Sequence, residues 1–281
     1  MPKIAVIGAG PAGIAASIQL SRAGHEVTVF EHGIIGGNLW NAGFVENYPG
    51  FPGGITGKHL AQLMEEQFQE YDFVLRRIEV TKAAFTGTHF TVNSAGNEEY
   101  DGMILCTGTR PKKAGFPGED ELHGVGLLHY NIMRLEEWYP EGNALVVGGG
   151  ESSMDMAMTL AERGLKVTLL HRSELRGIKY LLDAVKIDDS ITVTEGSVES
   201  VRLHGGKAVA RIGTEELPFD LILVAVGRES HLPELEGIDP EYPPAGFRIV
   251  GDAKHGGLGQ AAMAVGDGIR AAMGIGREAR K

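Results

Sequence analysis

The chain has 281 residues, enough for one large or two ordinary domains, and its 43% hydrophobic and 22% charged content is typical of a globular protein. Its net charge of -11 argues against general binding to nucleic acid or anionic membranes, and no apolar run approaches the roughly 18 residues of a membrane span. A single cysteine, Cys106, excludes an internal disulfide framework; with a strand at the N-terminus and no signal peptide, we expect a cytoplasmic protein.

The first 31 residues carry a nucleotide-binding pattern. An apolar run at 3–7 predicts a buried strand, followed by a helix to about Arg22 and a second strand at 27–30. Glu31 follows that strand, 18 residues after Gly13, which is close to the ~20-residue spacing expected of an acid that binds ribose hydroxyls. The turn between strand and helix contains Gly8, Gly10, Pro11, Ala12 and Gly13. Its glycines permit a tight turn, close approach of a pyrophosphate and close helix packing, with the phosphates at the helix N-terminus.

The next stretch, 36–52, is rich in glycine and proline and would be unusually long for a loop without a function. We predict a helix at 56–69 and two strand-like pieces at 77–80 and 89–92. A buried strand at 101–106 then leads to Thr107 and Gly108.

A second copy of the nucleotide-binding pattern begins 140 residues after the first. It aligns Gly8 with Gly148, Gly10 with Gly150 and Glu31 with His171, and Ser153 replaces the third glycine. Glu151 and Ser152 complete the nucleotide-binding residues of this turn. Two copies of one unit predict two nucleotide cofactors.

Together these motifs resemble the low-molecular-weight thioredoxin reductases and their relatives, which are two-domain FAD and NAD(P)H flavoproteins. The matching segments are 8–13, 36–37, 45–52, 107–108, 148–153, 171–172, 225–227 and 251–252, with Gln260. The resemblance implies an α/β fold of two Rossmann-like three-layer domains, the second inserted in the first. It places an FAD domain at 1–112 and 228–281 and an NAD(P)H domain at 113–227, and it implies a homodimer.

The resemblance also implies further cofactor-binding residues. Asp252 would hydrogen-bond the FAD ribityl chain, and a helix starting near Gly259 and Gln260 would direct its positive end at the flavin N1–C2=O edge. The others are Gly37, Asn38, Leu39, Asn47, Thr107, Gly108 and Gly251 for FAD, and Gly227 for the nicotinamide nucleotide.

The ribose end of the second unit favours NADPH over NADH. His171 and Arg172 stand where the first unit has Glu31, and a cation there attracts a 2′-phosphate that an acid would repel. Arg176 can approach the same phosphate, as a matching arginine does in the family. The alternative is that Arg172 and Arg176 are solvated surface charges.

The redox dithiol of the thioredoxin reductases is absent. The resemblance places its Cys-x-x-Cys shortly before the second turn, and counted from Gly124 and Val125 that position is Leu128, His129, Tyr130 and Asn131. One cysteine cannot cycle an internal dithiol. Cys106 lies in an apolar strand, which is typical of a packing residue. His129 and Tyr130 are therefore the candidate catalytic residues, as proton donors near the flavin or nicotinamide; alternatively they fill the space of the missing dithiol.

We therefore expect an FAD-containing NAD(P)H oxidoreductase that passes electrons from NADPH through FAD to an external acceptor, either a protein or a small molecule. Two alternatives stay open: an enzyme similar to ferredoxin- or flavodoxin-NADP reductases, and a non-catalytic FAD-binding redox subunit or sensor. The ten histidines show no metal-ligand spacing, so no metal is expected.

Overall fold

The chain forms two units in a computed structural model that describes residues 1–93, 96, 98–135, 142–256 and 259–278. The first unit comprises Met1–Trp40, Phe44–Arg110 and Glu229–Lys281, and the second comprises Asn41–Gly43 and Pro111–Arg228. The second unit is therefore an insertion in the first. The limits expected from sequence, 113 and 227, lie within two residues of those of the long inserted segment.

Strand–helix–strand motifs form the core of each unit, and runs of consecutive strands, within 74–111 and 191–249, lie between the helices. Up to the end of β9 the elements are β1 (Lys3–Ile7), α1 (Pro11–Arg22), β2 (Glu26–Phe30), β3 (Phe44–Val45), β4 (Ile55–Thr56), α2 (Gly57–Gln69), β5 (Val74–Arg76), β6 (Lys82–Phe85), β7 (Phe90–Val92), β8 (Gly102–Leu105) and β9 (Thr109–Pro111). The remaining elements are α3 (Glu119–Gly124), β10 (Leu128–His129), β11 (Asn143–Val147), α4 (Glu151–Glu162), β12 (Lys166–His171), α5 (Lys179–Ile187), β13 (Ile191–Glu195), β14 (Val198–His204), β15 (Lys207–Ile212), β16 (Glu215–Phe219), β17 (Leu221–Val224), β18 (Arg228–Ser230), β19 (Glu234–Glu236), β20 (Phe247–Ile249), α6 (Asp252–His255) and α7 (Ala261–Glu278). Short 3₁₀ turns cover Gly37–Asn41 and Ile132–Arg134.

The first unit is built on a five-stranded parallel sheet of order β20-β8-β1-β2-β5. The last four residues of both β1 and β2 are buried, as expected of central parallel strands covered on both faces. Helices α1 and α7 pack together on the unit, and Gly268 makes this possible because an added Cβ would lie 2.1 Å from the Ala12 carbonyl oxygen. The small sheet β19-β6-β7 shares a core with Ala5, Phe30 and Phe247.

The second unit repeats this plan with a parallel sheet of order β10-β17-β11-β12-β13. Successive residues of β11 face opposite sides, as strand geometry requires. Val146 belongs to the core that includes Met154 of α4 and Val185 of α5. Leu145 belongs to the core beneath the antiparallel sheet β14-β15-β16. The expected α/β class, with two Rossmann-like three-layer units, is confirmed.

One expected strand was wrong. The segment 77–80 contains no strand; the chain is extended earlier, at β5, and again later, at β6. β5 pairs in parallel with the end of β2, and directly after it the Ile78 N–H bonds back to the Arg76 carbonyl, which turns the chain off the sheet edge. Ile78 and Val80 alternate with charged residues, which is the pattern of a strand, but this segment pairs with no sheet in the described structure. The expected strand at 89–92 is confirmed as β7.

Candidate functional site

The turn between β1 and α1 contains three glycines with different roles. Gly8 has φ +101°, and a Cβ added to it would lie 2.4 Å from the Cys106 carbonyl oxygen. A Cβ added to Gly13 would lie 1.8 Å from the Gly8 carbonyl oxygen. Neither position therefore has room for a side chain. Gly10 has φ -75°, and a Cβ there would meet no atom within 4 Å. The space in front of Gly10 is open, which fits a turn whose backbone is approached by a ligand.

Residues from three other segments border this turn, and each of them is a predicted cofactor-binding residue. An added Cβ at Gly37 would lie 3.2 Å from Gly10 Cα, and one at Gly251 would lie 3.0 Å from Ala12 Cβ. Thr107 Cα would lie 3.2 Å from a Cβ added to Gly8. The Thr107 hydroxyl oxygen is buried and has no hydrogen-bond partner among the described residues. A buried polar atom in this state is costly unless a bound group satisfies it, so the site fits a dinucleotide with polar atoms at this point.

Glu31 lies against the same turn. Its carboxylate accepts hydrogen bonds from the backbone N–H of Ala9 at 2.7 Å and of Gly33 at 2.6 Å. Each carboxylate oxygen can accept more than one bond, so the group keeps capacity for a ribose hydroxyl. Pro11 occupies the first position of α1, where the missing N–H costs nothing.

The other residues predicted for this site come from several segments of the chain. Leu39 is buried in the 3₁₀ turn, and Gly108 has φ +65° with open space around it. An added Cβ at Gly259 would fall 1.7 Å from the Asp252 carboxylate, so that carboxylate lies directly against the backbone before α7. The remaining three are exposed, and their contacts with a cofactor stay predictions: Asn38, Asn47 and Gln260.

The turn between β11 and α4 has nearly the same geometry. At Gly148, which has φ +154°, an added Cβ would lie 2.4 Å from the Ala225 carbonyl oxygen, while Gly150 again faces open space. Ser153 replaces the third glycine and is fully buried, with its hydroxyl donating to the Gly150 carbonyl at 2.6 Å. The substitution is accommodated because the added polar group has a partner. Gly227 has φ +120° and follows shortly after Ala225.

The loop after β12 folds back onto this second turn. The Arg176 N–H donates to the Gly149 carbonyl at 2.8 Å, and His171 Nδ1 donates to the Ser173 carbonyl at 2.9 Å. Arg172 and Arg176 are exposed, and neither forms a salt bridge with another described residue. Two exposed guanidinium groups are thus carried on the loop that is bonded to the second turn, and their contact with a phosphate stays a prediction.

Two predicted residues of this turn lie at the start of α4. Ser152 is exposed in the first helical turn. The Glu151 carboxylate accepts a hydrogen bond from the Ile178 N–H at 3.0 Å, so it is linked to the loop after β12.

The two candidate catalytic residues are both engaged within the second unit. The Tyr130 hydroxyl donates to the Glu119 carboxylate at 2.9 Å, and burial, followed by this hydrogen bond, raises the Tyr130 pKa. His129 Nε2 donates to the Gly126 carbonyl at 2.7 Å. Glu119 is almost completely buried and also accepts the N–H groups of Ala114 and Gly115. These bonds favour a packing role, and proton donation by either residue stays a prediction.

Cys106 is buried at the end of β8, and burial raises the pKa of its thiol. The group is therefore neutral at physiological pH, and a neutral thiol is neither a nucleophile nor a metal ligand. Within the described ranges, no group of three or more His, Cys, Asp or Glu side chains is arranged to hold a metal ion. None of the helices described combines the length and hydropathy needed to cross a membrane.

Sequence reasoning missed several residues that shape these sites. Gly268 allows α7 to reach the start of α1, and the glycines within the α7 pattern indicated such a close approach. Glu119 was overlooked because a lone acid near a helix start has no distinctive spacing. Ala9 and Gly149 act through their backbone atoms, which no residue preference records.

Two strand–turn–helix units, each with an open second glycine, define a protein with two dinucleotide-binding sites. Residues 2–271 match the pyridine nucleotide-disulphide oxidoreductase family. Thioredoxin reductase of Bacillus subtilis (strain 168) is 29% identical over 97% of this chain and 93% of its own length. Thioredoxin reductase of Mycolicibacterium smegmatis is 33% identical over 80% of this chain and 75% of its own length. The crystal structure of Lactococcus lactis thioredoxin reductase, in the FR conformation, is 24% identical and superposes with a TM-score of 0.88, covering 100% of this chain and 99% of that one.

The chain belongs to the pyridine nucleotide-disulphide oxidoreductase family. It is an FAD-containing NAD(P)H oxidoreductase similar to the thioredoxin reductases, as the sequence motifs predict.

Proposed function

We propose that this enzyme takes electrons from NADPH and delivers them from FAD directly to an external acceptor, without an internal redox dithiol. In this proposal the segments 1–112 and 228–281 bind FAD, and the segment 113–227 binds NADPH. The redox chemistry, hydride transfer from the nicotinamide and release of electrons to the acceptor, is supplied by the flavin when bound.

The assignment of FAD to the first unit rests on the residues around its turn. Gly10 leaves room for a pyrophosphate at the start of α1, where backbone N–H groups and the helix dipole favour an anion. Glu31 supplies an acceptor for ribose hydroxyls, and Thr107 supplies a buried hydroxyl in need of a partner. The Asp252 carboxylate adds an acceptor beside Gly259, which suits a hydroxylated chain such as ribityl.

The proposed route of electrons rests on the cysteine content of the chain. Cys106 is its single cysteine, and it is buried with a raised thiol pKa. Exchange with a disulfide substrate through the protein needs two thiols, one of them ionised. Electrons must therefore leave from the cofactor itself.

The preference for NADPH rests on Arg172 and Arg176. A charge-assisted hydrogen bond to a phosphate contributes about 1.5–3 kcal/mol, so replacing either arginine by alanine is expected to raise the KM for NADPH about 10- to 100-fold and leave that for NADH unchanged. Steady-state oxidation of NADPH and of NADH, with an artificial electron acceptor at fixed concentration, measures both KM values. Arg202→Ala, which removes an arginine paired with Glu216 on another sheet of the same unit, is the matched control. Equal effects on NADPH and NADH would contradict the assignment.

The acceptor is found by adding candidates to the NADPH-reduced protein and following reoxidation of the flavin. Thioredoxin is the first to test, because the relatives are named for it, followed by small disulfides, quinones, oxygen, flavodoxin and ferredoxin. The net charge of -11 gives no attraction for an acidic ferredoxin, which makes that acceptor less favoured. A flavin that NADPH does not bleach would instead support a non-catalytic redox subunit or sensor.

We also propose a cytoplasmic homodimer. Light scattering on the purified protein tests the assembly: a mass of one 30.0 kDa chain would refute it.

A further inference from the structure

Each glycine turn or the helix that follows it is hydrogen-bonded by a carboxylate to the segment after the second strand, and the carboxylate comes from a different place in each unit. In the first unit it is Glu31 at the end of the strand, which accepts the Ala9 N–H at 2.7 Å. In the second unit His171 stands at the position of Glu31 and Gly149 at that of Ala9. A carboxylate at this strand end would repel a 2′-phosphate, so the second unit needs another such bond.

That bond is supplied from the start of the helix. Glu151 Oε1 accepts the Ile178 N–H at 3.0 Å, and a Cβ added to Gly177 would lie 2.9 Å from Glu151 Cγ. The loop is also bonded to the turn by the Arg176 N–H, which donates to the Gly149 carbonyl at 2.8 Å. The loop is therefore bonded to the second turn and to the start of α4 at two backbone N–H groups, those of Arg176 and Ile178.

We propose that Glu151 is a positioning residue for recognition of the 2′-phosphate, because it holds the loop that carries Arg172 and Arg176 against the second turn. The inference rests on the proposed use of NADPH. In the first unit the position of Glu151 is occupied by Pro11, whose side chain cannot accept a hydrogen bond. There the bond to the turn is made by Glu31 instead.

Glu151 acts through its acceptor oxygen and not through its charge. A carboxylate at the first position of α4 is favoured by the helix dipole, yet it opposes a phosphate bound nearby. Glutamine keeps an oxygen that can accept the Ile178 N–H and removes the charge. Glu151→Gln is therefore expected to preserve recognition, whereas Glu151→Ala loses it.

The test measures dissociation constants of the FAD-loaded full-length protein for 2′,5′-ADP and 5′-AMP by calorimetry, since these differ only in the 2′-phosphate. The unmodified protein binds 2′,5′-ADP more tightly; failure of this first result refutes NADPH use itself, before Glu151 is considered. Glu151→Ala then weakens 2′,5′-ADP about two- to fivefold, the effect of one exposed hydrogen bond, and leaves 5′-AMP unchanged. Glu151→Gln and the control Glu162→Gln, at the other end of α4, retain both affinities.

A second variant removes the donor instead of the acceptor. Ile178 has φ -66°, which proline adopts, so Ile178→Pro deletes the N–H without imposing a new φ at that residue. It should show the same selective loss, and adding Glu151→Ala to it should cause no further loss. Equal weakening of both ligands, no weakening in either variant, additive losses, or a Gln variant as weak as the Ala variant would each overturn the proposal.

Discussion

Gly10→Ala is expected to separate cofactor binding from folding. Gly10 is the N-cap of α1 with φ -75°, which alanine adopts, and an added Cβ would meet no protein atom within 4 Å. Alanine is a poorer N-cap than glycine, which destabilises the folded protein by about 0.5–1 kcal/mol. Alanine also reduces the conformational entropy of the unfolded chain, which stabilises the folded protein by about 0.4–1 kcal/mol. These contributions oppose each other, so the free energy of unfolding of the cofactor-free protein should change by less than about 1 kcal/mol.

The same methyl group is expected to weaken FAD binding strongly. It enters the space that a pyrophosphate needs in order to reach the backbone N–H groups at the start of α1. Each charge-assisted hydrogen bond lost costs about 1.5–3 kcal/mol, or roughly 10- to 100-fold in Kd. The variant should therefore purify with little flavin, and fluorescence titration of the cofactor-free protein with FAD should show the weaker Kd.

Gly13→Ala is the matched control, because it places the same methyl group three residues further along the chain, about five-sixths of a helical turn away. There the added Cβ would lie 1.8 Å from the Gly8 carbonyl oxygen, so helix and turn must separate, at a cost of about 1–3 kcal/mol or more. Urea unfolding of both cofactor-free variants measures the difference. A Gly10→Ala protein that retains one FAD per chain, or a Gly13→Ala protein as stable as the unmodified one, would refute this reading of the turn.

Three further predictions concern the second turn, the cysteine and the tyrosine. Gly150→Ala should retain FAD but raise the KM for NADPH at least about tenfold, since the space in front of it is open as well; an unchanged KM would contradict a nucleotide site there. Cys106 should react with Ellman's reagent only after unfolding, and because burial raises its pKa, the free energy of unfolding should fall above about pH 8.5, by up to ~1.4 kcal/mol per pH unit, relative to Cys106→Ala. Parallel stability curves of these two proteins between pH 8.5 and 10 would argue against a buried neutral thiol. Tyr130→Phe should lose about 1–2 kcal/mol of stability, because Glu119 loses a donor, while flavin reduction by NADPH stays within about threefold; a hundredfold slower reduction would instead assign Tyr130 a role in proton transfer.

The parts of the fold that follow from local chemistry were predictable from the sequence. The buried strands β1 and β11 are apolar runs, and Gly8 and Gly148 mark the turns because their positive φ angles exclude most side chains. Helix α2 follows from its apolar spacing and from Thr56, whose hydroxyl caps it by accepting the His59 N–H. Each of these features is decided within a few residues.

Features that depend on distant partners were not predictable in the same way. The extended segment β5 became a strand because β2 was available beside it, while the equally regular 77–80 pairs with no strand in the part of the chain that the structure describes. The Tyr130 hydroxyl reaches Glu119, and Glu151 bonds to Ile178, across sequence separations of 11 and 27 residues. A motif assigns such residues to a turn but does not say which of them binds the ligand and which holds a neighbouring loop.

The turns themselves do not distinguish one cofactor from the other. At Gly8 and at Gly148 an added Cβ would lie the same 2.4 Å from the carbonyl oxygen of the residue that directly follows a strand, Cys106 or Ala225, and both second glycines face open space. The difference lies at the ends of the second strands, where Glu31 bonds to its turn through a carboxylate and His171 does not. A carboxylate accepts bonds from ribose hydroxyls and a cation attracts a phosphate. On the functions proposed above, an acid at the strand end in the first unit and at Glu151 in the second would let one backbone frame bind either kind of ribose. Selectivity in this enzyme is therefore expected to respond to substitutions at the strand ends and their supporting loop, and binding itself to substitutions at Gly10 and Gly150.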